Sequence, residues 1–192
     1  GGKASNYTIA NTTTDGTTGA TSTKTTGNIA QREIGATFTV EGKVYDGTTD
    51  AKVLTGTLFG VLSDETVSLS YNPVGVFADK NAGMGKAVTV SELALSGADK
   101  DNYAINGTAQ TAGAISPLTL VLAGAKSYDG STTVSSLNLN ANNLVTGDTI
   151  SLSGTARIAS PAAGIQPIVE VSGLTVDNPN YTLIGSVGKV VV

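Results

Sequence analysis

The chain has 192 residues, a formal net charge of −4 from 11 Lys and Arg against 15 Asp and Glu, and 24 Gly. It has neither Cys nor His, which excludes disulfides, thiolate metal sites, and Ser-His-Asp or Cys-His catalysis. A charged fraction of 14% with an acidic excess cannot neutralise a run of phosphates, so no nucleic-acid partner is expected, and no apolar run is long enough to span a bilayer.

Repetition divides the chain. Lys43-Val44-Tyr45-Asp46-Gly47-Thr48-Thr49 returns as Lys126-Ser127-Tyr128-Asp129-Gly130-Ser131-Thr132, an offset of 83 residues. Asp99-Lys100-Asp101-Asn102-Tyr103 answers to Asp177-Asn178-Pro179-Asn180-Tyr181, and Asn6-Tyr7 is a further Asn-Tyr pair. The expected domains are a first module at 35–116 and a second at 117–192. Residues 1–34 read as the last hairpin of a preceding repeat, with a Thr/Gly-rich insertion between Thr12 and Gly27. The whole reads as a segment of a longer chain.

Modules of this size bury only about 60% of the surface of their unfolded chains. With 5% aromatics, the cores must be built from Val, Leu and Ile. In the first module the expected strands are Phe38 to Tyr45, with Phe38, Val40 and Val44 on one face, then Val53 to Leu62 and Thr66 to Tyr71. Thr66 to Tyr71 is the clearest, with Val67, Leu69 and Tyr71 alternating against Thr66, Ser68 and Ser70. Val74 to Phe77 and Lys86 to Leu95 follow, and Tyr103 to Ile105 with Ala112 to Ile115 should close a hairpin around Asn106-Gly107. The second module repeats this plan, with Pro161 and Pro167 suited to an edge strand or loop. Short strands bounded by turn signals predict an all-β fold of tandem immunoglobulin-like β-sandwich modules. The alternative is a β-grasp-like module with one short helix at 134–144. No flexible spacer separates Ile115-Ser116 from Pro117-Leu118, which predicts a stiff joint.

Tyr45-Asp46-Gly47 and Tyr128-Asp129-Gly130 read first as structural turns. Asp accepts a backbone N–H two residues on, Gly supplies a positive φ, and the Tyr ring is expected in the core with its hydroxyl on a carbonyl. Lys43 and Lys126, Asn102 and Asn180, and Asp46 and Asp129 also recur together, the ingredients of a Lys-Asn isopeptide bond; the chemistry would need a desolvated, neutral Lys beside a protonated acid. Thr-rich strands and Asn-x-Thr sequences could also serve a glycan-binding face or glycosylation.

These heptapeptides, with Val76-Phe77-Ala78-Asp79-Lys80-Asn81-Ala82-Gly83 and Leu95 to Tyr103, resemble the YDG repeat of large bacterial surface and secreted proteins. They are similar to the Gly-rich, mostly-β repeats of filamentous-haemagglutinin-type adhesins. The resemblance covers nearly the whole chain, and the second module departs from it in the Asp-Lys-Asn-x-Gly portion. It implies a non-enzymatic stalk or spacer in an adhesin at the cell surface or secreted. The partners implied are neighbouring repeats, with host or matrix glycans and proteins met through other regions. The alternative function is a ligand-binding adhesin module. No cofactor is expected. Asp99, Asp101 and Asn102 have the oxygen spacing that begins a calcium loop without its closing Glu, and calcium at the joints is the one metal considered.

Overall fold

A computed structural model describes residues 8–9, 25–26, 29–70 and 73–192. The Asn6-Tyr7 landmark, most of the Thr/Gly-rich insertion and Tyr71 therefore lie outside the described residues. The described chain is all-β, with single 3₁₀ turns at Lys100–Asn102 and Ser136–Asn138 and no α-helix among the described residues. β1 (Thr8–Ile9) pairs antiparallel with β2 (Thr25–Thr26).

The first module contributes β3 (Arg32–Val40), β4 (Lys43–Val44), β5 (Asp50–Ala51), β6 (Val53–Phe59), β7 (Ser68–Leu69), β8 (Val74–Phe77), β9 (Gly83–Ser91), β10 (Leu95–Ser96), β11 (Tyr103–Ile105) and β12 (Ala109–Ser116). The second contributes β13 (Leu118–Ala125), β14 (Thr133–Ser135), β15 (Leu139–Ala141), β16 (Leu152–Ile158), β17 (Ile165–Glu170), β18 (Leu174–Val176) and β19 (Tyr181–Val191). Period-2 burial explains the longest of these: Leu120 and Leu122 in β13, Val88 and Val90 in β9, and Ala156 and Ile158 in β16 are buried while the residues between them are more exposed.

The strands assemble into a five-stranded sheet, β4-β12-β9-β8-β5, that nearly closes on itself like a barrel. A second sheet, β14-β16-β17-β19-β13-β15, curls as a half-barrel. Two cleanly separated antiparallel layers, the immunoglobulin-like expectation, do not describe this arrangement. The physical reason is the parallel pairing of the first strand of the second module with its last, Leu118 opposite Tyr181 and Ala125 opposite Val191. That pairing puts both strands in the middle of one continuous sheet, which twist then curls.

Three local expectations are corrected. β11 and β12 do not form a hairpin around Asn106-Gly107; β11 runs parallel to β3 and β12 parallel to β4, so the chain does not reverse. The stretch 134–144 is strand, a single 3₁₀ turn and strand, because Ser135 caps the turn through the Leu137 N–H and β15 pairs with β13. Pro167 lies in β17, which has partners on both sides, rather than at an edge. It serves the sheet through its carbonyl, which takes the Ala159 N–H at 3.0 Å.

The chain forms two compact units. One holds residues to Thr39, Val53–Val74 and Thr89–Thr111; the other holds Val40–Lys52, Gly75–Val88 and Ala112–Val192. The first has a thin core of Ile34, Phe38, Val90 and Tyr103, with the Phe59 ring laid over Gly35. The second contains the whole second module together with the Tyr45-Asp46-Gly47 and Asp79 to Gly83 segments of the first.

Gly154 ties backbone conformation to packing in the second module. Its φ is +93°, and a Cβ there would lie 2.0 Å from the Gly173 carbonyl oxygen. Gly154→Ala is therefore expected to destabilise that module by about 1–3 kcal/mol in denaturant unfolding. An unchanged midpoint would place the two backbones further apart.

Candidate functional site

The recurring heptapeptide is a turn built around its lysine. In the second module Lys126 Nζ donates to Asp129 Oδ1 at 2.7 Å, the Ser131 carbonyl at 2.9 Å, and Ser131 Oγ and the Thr133 carbonyl at 3.0 Å. Asp129 Oδ1 also accepts the Ser131 N–H at 2.9 Å. In the first module Lys43 Nζ meets Asp46 Oδ1 at 2.8 Å, Thr48 Oγ1 at 2.7 Å and the Thr48 carbonyl at 3.0 Å. Its ammonium also lies 5.9 Å from the Phe77 ring centroid. The lysine side chains are 19% and 4% exposed, so each charge is drawn from water only because these oxygens replace it. Donation by Lys126, then by the Ser131 N–H, lowers the Asp129 carboxyl to about 2. Gly47 and Gly130 turn the chain at φ +79° and +72°.

This geometry reverses one expected face. β4 restarts after Glu41-Gly42, so Lys43 and Tyr45 point inward while Val44 is 52% exposed. It also separates the isopeptide ingredients. Both ammonium groups are held by their own turns, while Asn102 and Asn180 donate their amides to Glu65 and Asn81.

The two tyrosines of the repeated turn differ. Tyr45 is 2% exposed, whereas Tyr128 is 68% exposed and is not a core residue. The cause is what each meets. Tyr45 Oη donates to Asp148 Oδ2 at 2.7 Å, a carboxylate rather than the expected carbonyl. Tyr181 Oη donates to the same oxygen at 2.8 Å and accepts the Val145 N–H at 3.0 Å. The two rings meet edge to face, with centroids 5.6 Å apart. Gly47 packs so closely on Val145 that a Cβ would lie 2.7 Å from Val145 Cγ1.

Asn180 completes the joint. It is 7% exposed, its Oδ1 accepts the Ala82 N–H at 2.8 Å, and its Nδ2 donates to Asn81 Oδ1 at 3.1 Å. The Asn-Tyr landmark thus has two tasks: Asn180 holds the Asp79 to Gly83 loop, and Tyr181 holds the carboxylate that receives Tyr45. Lys80 Nζ stands 3.9 Å from Asp148 Oδ1 at the more exposed side, an ion pair of small worth.

The same parts recur in the first module, where Tyr103 Oη donates to Glu65 Oε2 and accepts the Leu62 N–H at 3.0 Å. Asp148 and Glu65 escaped sequence reasoning, although each directly precedes a matched stretch, Thr149-Ile150-Ser151 and Thr66-Val67-Ser68, that leads into β16 and β7; the strand expected over Thr66 to Tyr71 is only Ser68–Leu69 among the described residues. The acids singled out for calcium have backbone duties. Asp99 Oδ2 accepts the Thr66 N–H and Asp177 Oδ1 the Ser151 N–H, each at 2.8 Å. Asp101 lies in the exposed 3₁₀ turn beside Asn102, and its backbone carbonyl takes the Gln31 amide. No cluster of three or more Asp or Glu suited to a metal occurs among the described residues.

The joint should respond to pH from both sides. The hydrogen bond to Asp148, followed by burial, pushes the Tyr45 phenol up to about 12. Its contribution to stability is complete below the unfolded value of about 10 and is lost as pH rises toward the folded value. Donation from Tyr45 and then Tyr181 lowers the Asp148 carboxyl, so its contribution is complete above the unfolded value of about 4 and is lost as pH falls through the folded value. An alkaline titration followed by phenolate absorbance should show a late tyrosine that Asp148→Asn returns toward the ordinary range. If that variant leaves the late tyrosine in place, the carboxylate is not its cause. Separately, Lys126→Met should destabilise the second module by about 1–3 kcal/mol, since it strands the oxygens of its turn; an unchanged unfolding midpoint would show that water replaces the ammonium at no cost.

A family model for the YDG domain matches this chain twice, over residues 30–112 and 114–188. No curated protein and no solved structure gives a match. The two matched stretches hold both Lys-x-Tyr-Asp-Gly turns and the Asn102-Tyr103 and Asn180-Tyr181 pairs, and the chain belongs to the YDG domain family as two tandem copies.

Proposed function

We propose that this chain is a structural spacer: tandem modules of a bacterial adhesin, at the cell surface or secreted, that hold a distal adhesive region away from its anchor. The observation that carries the reading is the joint inside the second compact unit. There the Tyr45 turn of one module is received by Asp148, Tyr181 and Asn180 of the next. Only Pro117 separates β12 from β13, and the Leu118 N–H bonds the Asn180 carbonyl at 2.9 Å. A joint with buried, charge-assisted hydrogen bonds and no spacer suits a chain that must transmit position and tension rather than turn over a substrate. The absence of His and Cys from the sequence agrees with a non-enzymatic role.

The finer fold assignment belongs with this proposal. First and last strands paired parallel at the centre of a sheet support the strand order of the β-grasp alternative, without its helix, over the immunoglobulin-like sandwich.

Backbone ¹⁵N relaxation tests the spacer reading. Both modules should report one rotational correlation time, and Tyr45→Ala combined with Asp148→Ala should give two. Independent tumbling in the unaltered chain would sink the proposal. Antibody labelling of intact cells tests the location, and an epitope reached only after lysis would remove the surface assignment.

A further inference from the structure

The second module repeats the half of the joint that the first module presents. The hydrogen bonds fix the correspondence. The Phe77 N–H to the Thr49 carbonyl matches the Ile158 N–H to the Thr132 carbonyl, and the Ala78 N–H to the Ala87 carbonyl matches the Ala159 N–H to the Pro167 carbonyl. The Asn81 N–H to Asp79 Oδ1 matches the Ala162 N–H to Ser160 Oγ. Ala163 therefore stands where Ala82 offers its N–H to Asn180, and Tyr128 where Tyr45 meets Asp148.

The strand ends agree. Lys43 lies opposite Ile115 in the parallel pair of β4 and β12. The parallel register of β13 and β19, Gly124 with Val190 and Ala125 with Val191, brings Lys126 level with Val192, so Val192 is the counterpart of Ile115. In the first module the next residue, Ser116, accepts the Tyr45 N–H at 2.8 Å through its carbonyl, and Pro117 leads directly into β13 of the receiving module. A Ser-Pro-Leu sequence joined to Val192 would set the same carbonyl beside the Tyr128 N–H and start the next module at the same reach.

What differs is the covering. A Cβ on Gly47 would lie 2.7 Å from Val145 Cγ1, whereas one on Gly130 would meet nothing within 4 Å, and Tyr128 is 68% exposed where Tyr45 is 2% exposed. The uncovered turn is nonetheless fully built. Lys126 Nζ makes the same three bonds as Lys43 Nζ and adds the Thr133 carbonyl, so the segment that presents Tyr128 is fixed before anything meets it.

We propose that the Tyr128 end of the second module is a docking face for one further module of the second module's own kind, with an acid at the position of Asp148 and an Asn-Tyr pair at those of Asn180 and Tyr181. Tyr128 donates to the incoming carboxylate, its ring meets the incoming Tyr edge to face, and the Ala163 N–H goes to the incoming Asn side-chain oxygen. A receiver of this kind takes such a turn in this chain, where Asp148, Tyr181 and Asn180 hold the Tyr45 turn and the Ala82 N–H. The proposal rests on the spacer reading and deepens it, because it names the chemistry of the module that the next joint accepts. Two supports of the first joint are missing from this face. Ala162 replaces Asn81, so the incoming amide loses an acceptor, and Pro161 replaces Lys80, so no cation flanks the carboxylate.

Tyrosine nitration, read peptide by peptide by mass spectrometry, tests it on the full chain and on the full chain extended at Val192 by a second copy of residues 116–192. The added copy carries Tyr128→Phe, so that its peptide differs in mass. Tyr45 is the standard for a covered ring and should react slowly in both. In the extended chain Tyr128 should react roughly tenfold or more slowly than in the unextended one, as its exposure falls from 68% toward the 2% of Tyr45. Asp148→Ala in the added copy alone should restore most of that reactivity. A Tyr128 that reacts as fast in the extended chain as in the unextended one overturns the docking proposal. Protection that survives Asp148→Ala in the added copy overturns the named receiver. If the unextended chain still gives one correlation time, the spacer reading stands without either.

Discussion

The structure depends on one carboxylate. Asp148 is only 14% exposed and receives two phenolic hydroxyls on the same oxygen, one from each module. A charge so withdrawn from water is tolerated because both donors are strong and fixed. Tyr181 is held by the Val145 N–H and by the parallel pairing of its strand with β13; Tyr45 is held by the turn that Lys43, Asp46 and Gly47 build. Each phenol is buried, so neither hydroxyl has a ready substitute for the carboxylate. Among the residues that the two copies share are the parts this arrangement uses: a Lys and an Asp to fix the turn, a Gly to turn it, a Tyr that in the first copy reaches across, and an Asn-Tyr pair that in the second receives it.

The interaction also accounts for how a chain so poor in charge holds its modules together. Lys80 and Asp148 are the one opposite-charge pair across the joint among the described residues, at 3.9 Å and with Lys80 half-exposed, where screening leaves little net attraction. The joint rests instead on buried hydrogen bonds, an edge-to-face ring pair and the close approach of Gly47 to Val145. These terms are short-ranged and insensitive to salt, a useful property in a protein proposed to work outside the cell.

The all-β class and the repeat were legible in the sequence because period-2 alternation and the 83-residue offset are local or exact. The turn chemistry was legible for the same reason: an Asx turn is specified within five residues. The sheet order was not. Parallel pairing of Leu118 with Tyr181 joins residues 63 positions apart, and nothing local distinguishes it from a hairpin around Asn106-Gly107. The fate of the tyrosines was hidden for a different reason. Tyr45 and Tyr128 share a heptapeptide, and burial is decided by whether a partner module reaches the ring, which is a property of the assembly rather than of the segment. Asp148 had a faint signal, an acid before a repeated Thr-x-Ser triplet, that only gains meaning once Tyr181 is placed beside it. Pro161 lies in a loop as expected, while Pro167 misled because the rule concerns a missing N–H and Pro167 contributes a carbonyl.

The most direct test of the account is a double-mutant cycle on unfolding free energy with Tyr45→Phe and Asp148→Asn. Both changes preserve shape: Tyr45→Phe removes the hydroxyl that links the modules, Asp148→Asn removes the charge it meets and that Tyr181 and Lys80 also meet, and the cycle isolates the shared part. The account predicts that Tyr45→Phe costs about 1.5–3 kcal/mol alone and much less once Asp148 is Asn, a coupling of about 1 kcal/mol or more. Additivity within about 0.5 kcal/mol would contradict it, because the two residues would then stabilise the protein independently and the joint would have some other foundation.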